Sequence, residues 1–171
     1  MTDRRTFLRG ASVLMGHAAL GQVLTAFAAT ARKATFFNDS EMRSLRALVD
    51  VILPATDSPA ASAADTHYFI DLAVPACASP AAQKTFKDGL AAFAGYEKLA
   101  PAEQVAKLKT RAAADMALDY DASFFKILKE YTLVGYFLSE TGATQALAYE
   151  RVPGGFQGDL PLKPNQKAWA I

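Results

Sequence analysis

The sequence predicts an all-α fold: a small, irregular domain of about five to seven helices with an extended C-terminal tail, preceded by an export leader. Three observations predict it. Apolar residues recur at three- and four-residue spacing from Met42 onward. Asn, Ser, Asp and Pro stand where those stretches begin and end. No convincing strand pair and no internal repeat interrupt the pattern. The chain has 171 residues, enough for one domain, and 51% hydrophobic with 20% charged residues suits a packed core.

The leader comes first. Arg4-Arg5-x-Phe7-Leu8-Arg9 matches the twin-arginine export pattern, with Asp3 and Arg9 where a hydroxyl residue and a lysine are commoner. Gly10 to Ala31 carries no charge and is only mildly apolar, interrupted by Gly16, His17, Gly21 and Gln22. Small residues at Ala26-Phe27-Ala28 and Ala29-Thr30-Ala31 offer cleavage sites. The division expected is a signal peptide over 1–31 and a helical domain over 32–171, of which 151–171 is tail. An uncleaved membrane anchor is the bland alternative, since 22 uncharged residues span the roughly 30 Å of a bilayer core.

Asn38 and Glu41 compose a capping box for a first helix, whose face is Met42, Leu45, Leu48, Val49 and Ile52 and whose stop is Pro54. Ala55 to Asp65 reads as loop by composition, and Tyr68 to Val74 as two turns bounded by Pro75. Ser79-Pro80 opens the next helix, with Phe86, Leu90, Phe93 and Glu97 keeping its period. Pro101 with Glu103 opens another through Val105, Leu108 and Ala112. Asp121 is the expected cap of the strongest helix, whose stripe is Phe124, Leu128, Tyr131, Gly135 and Leu138. From Tyr131 to Leu138 it is apolar nearly all round, so it is either central to its domain or covered by a partner. After a short helical piece, Ala143 to Tyr149, the tail carries Phe156, Leu160, Leu162 and Trp169 among glycines and prolines. Such spaced anchors lie on a surface, the domain's own or another's.

Chemistry-bearing motifs are missing from the sequence. The formal net charge of +1 supplies no field to recruit nucleic acid. Cys77 is the single cysteine, which excludes an internal disulfide or thiolate cluster. It reads as a small buried apolar residue or as a thiol paired with another chain. No G-x-G-x-x-G and no C-x-x-C-H occurs, so neither a dinucleotide fold nor covalent haem is signalled. His67 has no companion ligands and reads as a satisfied or surface histidine. Glu140, Asp57 and His67 are the groups to nominate for acid–base work, but their spacing follows no catalytic logic. A stand-alone binding protein or an enzyme using those three is the alternative reading. The expectation is that this chain holds no catalytic residue, cofactor or metal. Export after folding usually serves a cofactor protein, so a chain without a cofactor motif points to a carried partner.

Two blocks carry a family resemblance. Leu45-x-x-Leu48-Val49-Asp50-Val51-Ile52-Leu53-Pro54-Ala55-Thr56-Asp57-x-Pro59 resembles the opening signature of the gluconate 2-dehydrogenase subunit 3 family. Thr132-Leu133-x-Gly135-Tyr136-Phe137-x-Ser139-Glu140-x-Gly142-Ala143-Thr144-Gln145, with Tyr149, Val152-Pro153-Gly154 and Gly158, resembles its C-terminal core. The resemblance implies a small helical gamma subunit without catalytic residues of its own. Its partner would be an FAD-containing flavoprotein of the glucose–methanol–choline class that oxidises a sugar, polyol or sugar acid, with electrons leaving through a c-type cytochrome (haem c). The small subunit would carry the flavoprotein through the twin-arginine translocase and support its folding, in a periplasmic complex at the inner membrane. On that reading Tyr131, Tyr136, Phe137, Glu140, Gln145, Tyr149, Phe156 and Trp169 are the interface candidates. Asp159 stands where many members place a cysteine, leaving Cys77 as the candidate inter-subunit thiol.

Overall fold

The computed structural model describes residues 34–152, 154–155, 159, 161 and 164–170. These form five α-helices joined by short turns: α1 (Asp39–Ile52), α2 (Thr66–Cys77), α3 (Pro80–Ala91), α4 (Pro101–Asp115) and α5 (Phe124–Phe137).

The start of α1 is as its sequence dictates. Asn38 Oδ1 accepts from the Ser40 and Glu41 amides, and Glu41 Oε2 accepts from the Asn38 amide at 2.9 Å. Both orphan donor sets of the helix start are thereby satisfied. Met42, Leu45, Leu48 and Val49 are buried along one face, and the helix ends two residues before Pro54. Ahead of α1, the chain is fastened to α2. The buried Asp71 carboxylate accepts from the amides of Thr35 (2.7 Å), Phe36 (3.0 Å) and Phe37 (2.7 Å), and from the Thr35 hydroxyl (3.0 Å).

Four stretches differ from the sequence expectation. Ala61–Ala64 makes one 3₁₀ turn rather than open loop, because Ala61 and Ala64 are small enough to be buried and Asp50 Oδ1 accepts from the Ser62 amide at 2.7 Å. The second helix is longer than Tyr68–Val74 and keeps Pro75 inside it. Pro75 lies in the last turn, so the one helix hydrogen bond it cannot donate falls near the end of α2. Gln83 Nε2 donates to the Pro75 and Ala78 carbonyls there. The helix α3 stops at Ala91; Phe93 enters the core from the turn that follows, and Gly95 (φ 73°) leads into a 3₁₀ turn that buries Tyr96. The cap of α5 is Ser123, whose hydroxyl accepts from the Lys126 amide, and not Asp121. Asp121 instead accepts from the Ser79 hydroxyl at 2.8 Å and, through its carbonyl, from the Thr85 hydroxyl.

The helix α5 is the axis of the domain and packs on α1, α2, α3 and α4. Phe124, Ile127 and Leu128 are fully buried, each worth about 2 kcal/mol against exposure. Phe37, Phe86, Phe124, Phe93 and Tyr96 form a chain of ring contacts between 5.2 and 5.5 Å through the core. Gly135 is required where α5 meets α2, because a Cβ there would overlap the Phe69 ring. Of the two readings of its apolar C-terminal half, the central one holds for Thr132, Gly135 and Tyr136, which are buried, while Phe137 and Leu138 remain exposed. After α5, Gly142–Ala146 forms a single π turn, and the tail returns to pair Ala148 with Trp169. At that point the tail packs back on its own domain. Among the described residues no helix is long and apolar enough to cross a membrane.

Candidate functional site

The two sequence blocks that look most constrained are far apart in the chain and meet in space. The helix α1 cannot continue through Pro54, so the chain leaves it at Leu53 and turns back. Thr56 donates to the Ser58 carbonyl at 3.0 Å and Ala61 to the Leu53 carbonyl at 3.0 Å, closing residues 53–61 into a compact loop. That loop is then pinned to α5, since the Tyr136 hydroxyl donates to the Pro59 carbonyl at 2.7 Å.

The chain after α5 is shaped by the same tyrosine. The Ser139 hydroxyl donates to the Tyr136 carbonyl (2.6 Å) and accepts from the Gly142 amide (2.9 Å). A Cβ at residue 142 would collide with that Tyr136 carbonyl, a main-chain atom that cannot step aside, which is why the position needs glycine. The π turn ends with Leu147 donating to the Gly142 carbonyl at 3.1 Å. The tail is then held by Ala148 donating to Ala168 (2.8 Å), Ala170 donating to Ala148 (2.9 Å) and Lys167 Nζ donating to the Gln145 carbonyl (2.6 Å).

Between loop, α5 end and tail lies a groove of about 430 Å³, walled by Leu53, Pro54, Tyr136, Phe137, Ala146 and Leu147, with Asp57 and Lys167 also lining it. Hydrogen bonds from its own main-chain N–H and then from Thr56, with Lys167 adding attraction, hold the Asp57 carboxyl below the usual carboxylate range. The groove therefore presents apolar walls with one fixed negative and one positive group.

The remaining candidates fall as follows. Tyr136 is 2% exposed, so it shapes the groove from beneath and is not itself a contact surface, which corrects its place among the interface residues. Phe137 is 36% exposed, and Tyr149 and Trp169 are each 56% exposed near the tail pairing. Glu140 is exposed just before the π turn and Gln145 is exposed within it. Tyr131 does not line the groove; burial first, and then the neighbouring Cys77, push its phenol up to about 12. Cys77 itself is exposed, contrary to the reading of a small buried residue, because α2 runs on to its position at the helix end. Partial burial raises its thiol pKa. Asp57 and His67 are not brought together: His67 is buried and lines a separate depression with Arg43 and Arg46. Among the described residues no three His, Cys, Asp or Glu side chains gather as a metal site would need. Arg4, Arg5, Phe7, Leu8 and Phe156 lie outside the described residues. Sequence reasoning missed Leu147, Lys167 and Ala168; the return of the tail that brings them in rests on two main-chain hydrogen bonds, which no side-chain pattern encodes.

No curated protein and no solved structure matches the chain. The model of the family described as gluconate 2-dehydrogenase subunit 3 matches residues 39–154, a span that runs from the first turn of α1 past the π turn. That span contains the loop wall, the α5 wall and the turn wall of the groove, and leaves Lys167 and Ala168 outside. With most of its length so matched, the chain belongs to the gluconate 2-dehydrogenase subunit 3 family, that of a subunit within an oxidoreductase complex.

Proposed function

We propose that this chain is the non-catalytic small subunit of a periplasmic FAD-dependent dehydrogenase, and that it carries and stabilises the flavoprotein that oxidises a sugar, polyol or sugar acid. The observation that carries the reading is the convergence of both family blocks on one groove lined in part by the exposed Phe137, with Leu138 exposed next to it in the chain and Tyr149 and Trp169 exposed at the tail pairing. Exposed aromatic and large aliphatic residues around a shallow groove are what a protein partner covers. FAD belongs to the partner and haem c to a cytochrome that accepts the electrons. The leader with Arg4 and Arg5 supplies the route, and a carrier that must first fold suits a compact domain built on one central helix.

Two experiments test it. The double variant Phe137→Ser/Leu138→Ser removes two exposed side chains and leaves the core intact. It should fold and lose most of its co-purification with the flavoprotein; unchanged assembly would refute the docking surface. Tyr136 is unsuited to that test, since replacing it opens the core. In the export test, Arg4→Lys/Arg5→Lys should leave dehydrogenase activity in the cytoplasm, and normal periplasmic activity would refute the carrier role.

A further inference from the structure

The helix α4 is the least buried of the five, with only Leu108 and Asp115 inside. Val105, Lys109, Ala112 and Met116 follow at four-, three- and four-residue spacing, so they share one stripe of it. Met116 keeps helical dihedrals just past the last turn and is 70% exposed. Where α4 meets α5 and the end of α1, an open trough of about 250 Å³ runs beside the stripe. Ile52, Val105, Leu108, Ala112 and Phe125 give it apolar walls, and Lys109 and Lys129 flank it. Of the five cations on α4 and α5, three are engaged. Lys107 sits over the Phe93 ring, Arg111 pairs with Asp115, and Lys126 donates to the Leu118 carbonyl. Lys109 and Lys129 are the other two, and among the described residues neither has a hydrogen bond or a carboxylate partner. The trough is therefore complementary to an apolar side chain accompanied by negative charge. The turn after α4 offers both: Met116, Leu118 and Tyr120 are exposed there, and Asp119 stands among them with no capping hydrogen bond from its side chain.

We infer that two copies of this chain pair through α4, antiparallel and crossing near Ala112, each placing Met116 in the other's trough. Insert and seat stand on one stripe, which is what a two-fold interface needs, since the same patch must serve as both. In such a crossing, residues equally far from Ala112 on opposite sides face each other. Met116 of one copy then meets Leu108 and Lys109 of the second, and Asp119 comes up beside the unengaged lysines. The small Ala112 side chain lets the two helix axes approach closely. Because each copy fills the other's trough, the contact closes on itself and stops at a dimer. The pairing is independent of the groove at Phe137 and of the small-subunit role.

Sedimentation of the full chain over a concentration series reads the pairing. The wild type should show a monomer–dimer equilibrium. Met116→Ser should weaken it about tenfold or more, since a two-fold interface loses each contact twice. Lys109→Glu and Asp119→Lys should each weaken it likewise, and combined in one chain they should regain most of the wild-type affinity. All three side chains are exposed, so every variant should keep the helical circular dichroism of the wild type. A wild type that is monomeric at every concentration, or a dimer that Met116→Ser leaves unchanged, would overturn the inference. A double charge variant no better than its two singles would do the same. A monomeric wild type whose binding of the FAD-containing subunit is lost in Met116→Ser would give this face to that subunit and overturn the second copy as its occupant. The small-subunit role stands or falls separately, on Phe137→Ser/Leu138→Ser.

Discussion

Tyr136 works from both ends of its side chain and main chain. Its hydroxyl holds the Pro59 carbonyl, its carbonyl takes the Ser139 hydroxyl, and the same carbonyl leaves no room for a side chain at Gly142. A buried hydrogen bond of this kind contributes about 1 kcal/mol, and its loss in a domain of this size lowers the thermal midpoint by roughly 4 °C. Tyr136→Phe should show that loss by thermal circular dichroism while keeping the ring in the core. A midpoint equal to the wild type would mean that the Pro59 contact contributes nothing to holding the 53–59 loop. In the sequence alone Tyr136 stands among the candidate aromatic contacts, because an aromatic run near a helix end reads as surface and as core alike. Only the packing of α5 against four other helices separates Tyr136 inside from Phe137 outside.

At the scale of elements, the caps were the most legible feature. Asn38 with Glu41, three apart, and Ser79 with the adjacent Pro80 are local signals, and both operate as written. The start of α5 was misplaced by two residues because Asp121 and Ser123 are equally good caps in isolation. The choice is made by Asp115 at the end of α4. Its buried carboxylate accepts from the Ser123 hydroxyl (3.2 Å) and the Phe125 amide (2.8 Å), and so fixes the register of the helix start. Ser123→Ala should therefore destabilise the domain by about 1 kcal/mol or more, and Asp121→Ala, whose contact with Ser79 is exposed, by less than about half of that. Urea titrations of the two variants decide it, and the reverse order would restore Asp121 as the cap. The shortened α3 has a similar cause: Phe93 leaves the helix and is buried in the core, tertiary packing prevailing over the local period.

For the whole molecule, the all-α architecture was legible because five helices of 12 to 15 residues each carry a clear apolar face. The groove was half legible. Both family blocks stood out in the sequence, but their meeting depends on a tail whose residues give no periodic signal. The chain contains one tryptophan, and it is the exposed Trp169. Its fluorescence should be that of a solvated indole in the isolated subunit and should shift to the blue if the flavoprotein covers it. An emission maximum unmoved by saturating partner would exclude Trp169 from the interface.

The fastening of residues 35–37 to Asp71 has a mechanical consequence. Tension arriving from the N-terminal side meets four hydrogen bonds gathered on one carboxylate before it reaches α1. The load passes into the middle of α2, close to the core, instead of peeling the first helix open from Asn38. The domain thus has a riveted handle, and its resistance to being drawn apart from that end is set by one buried aspartate.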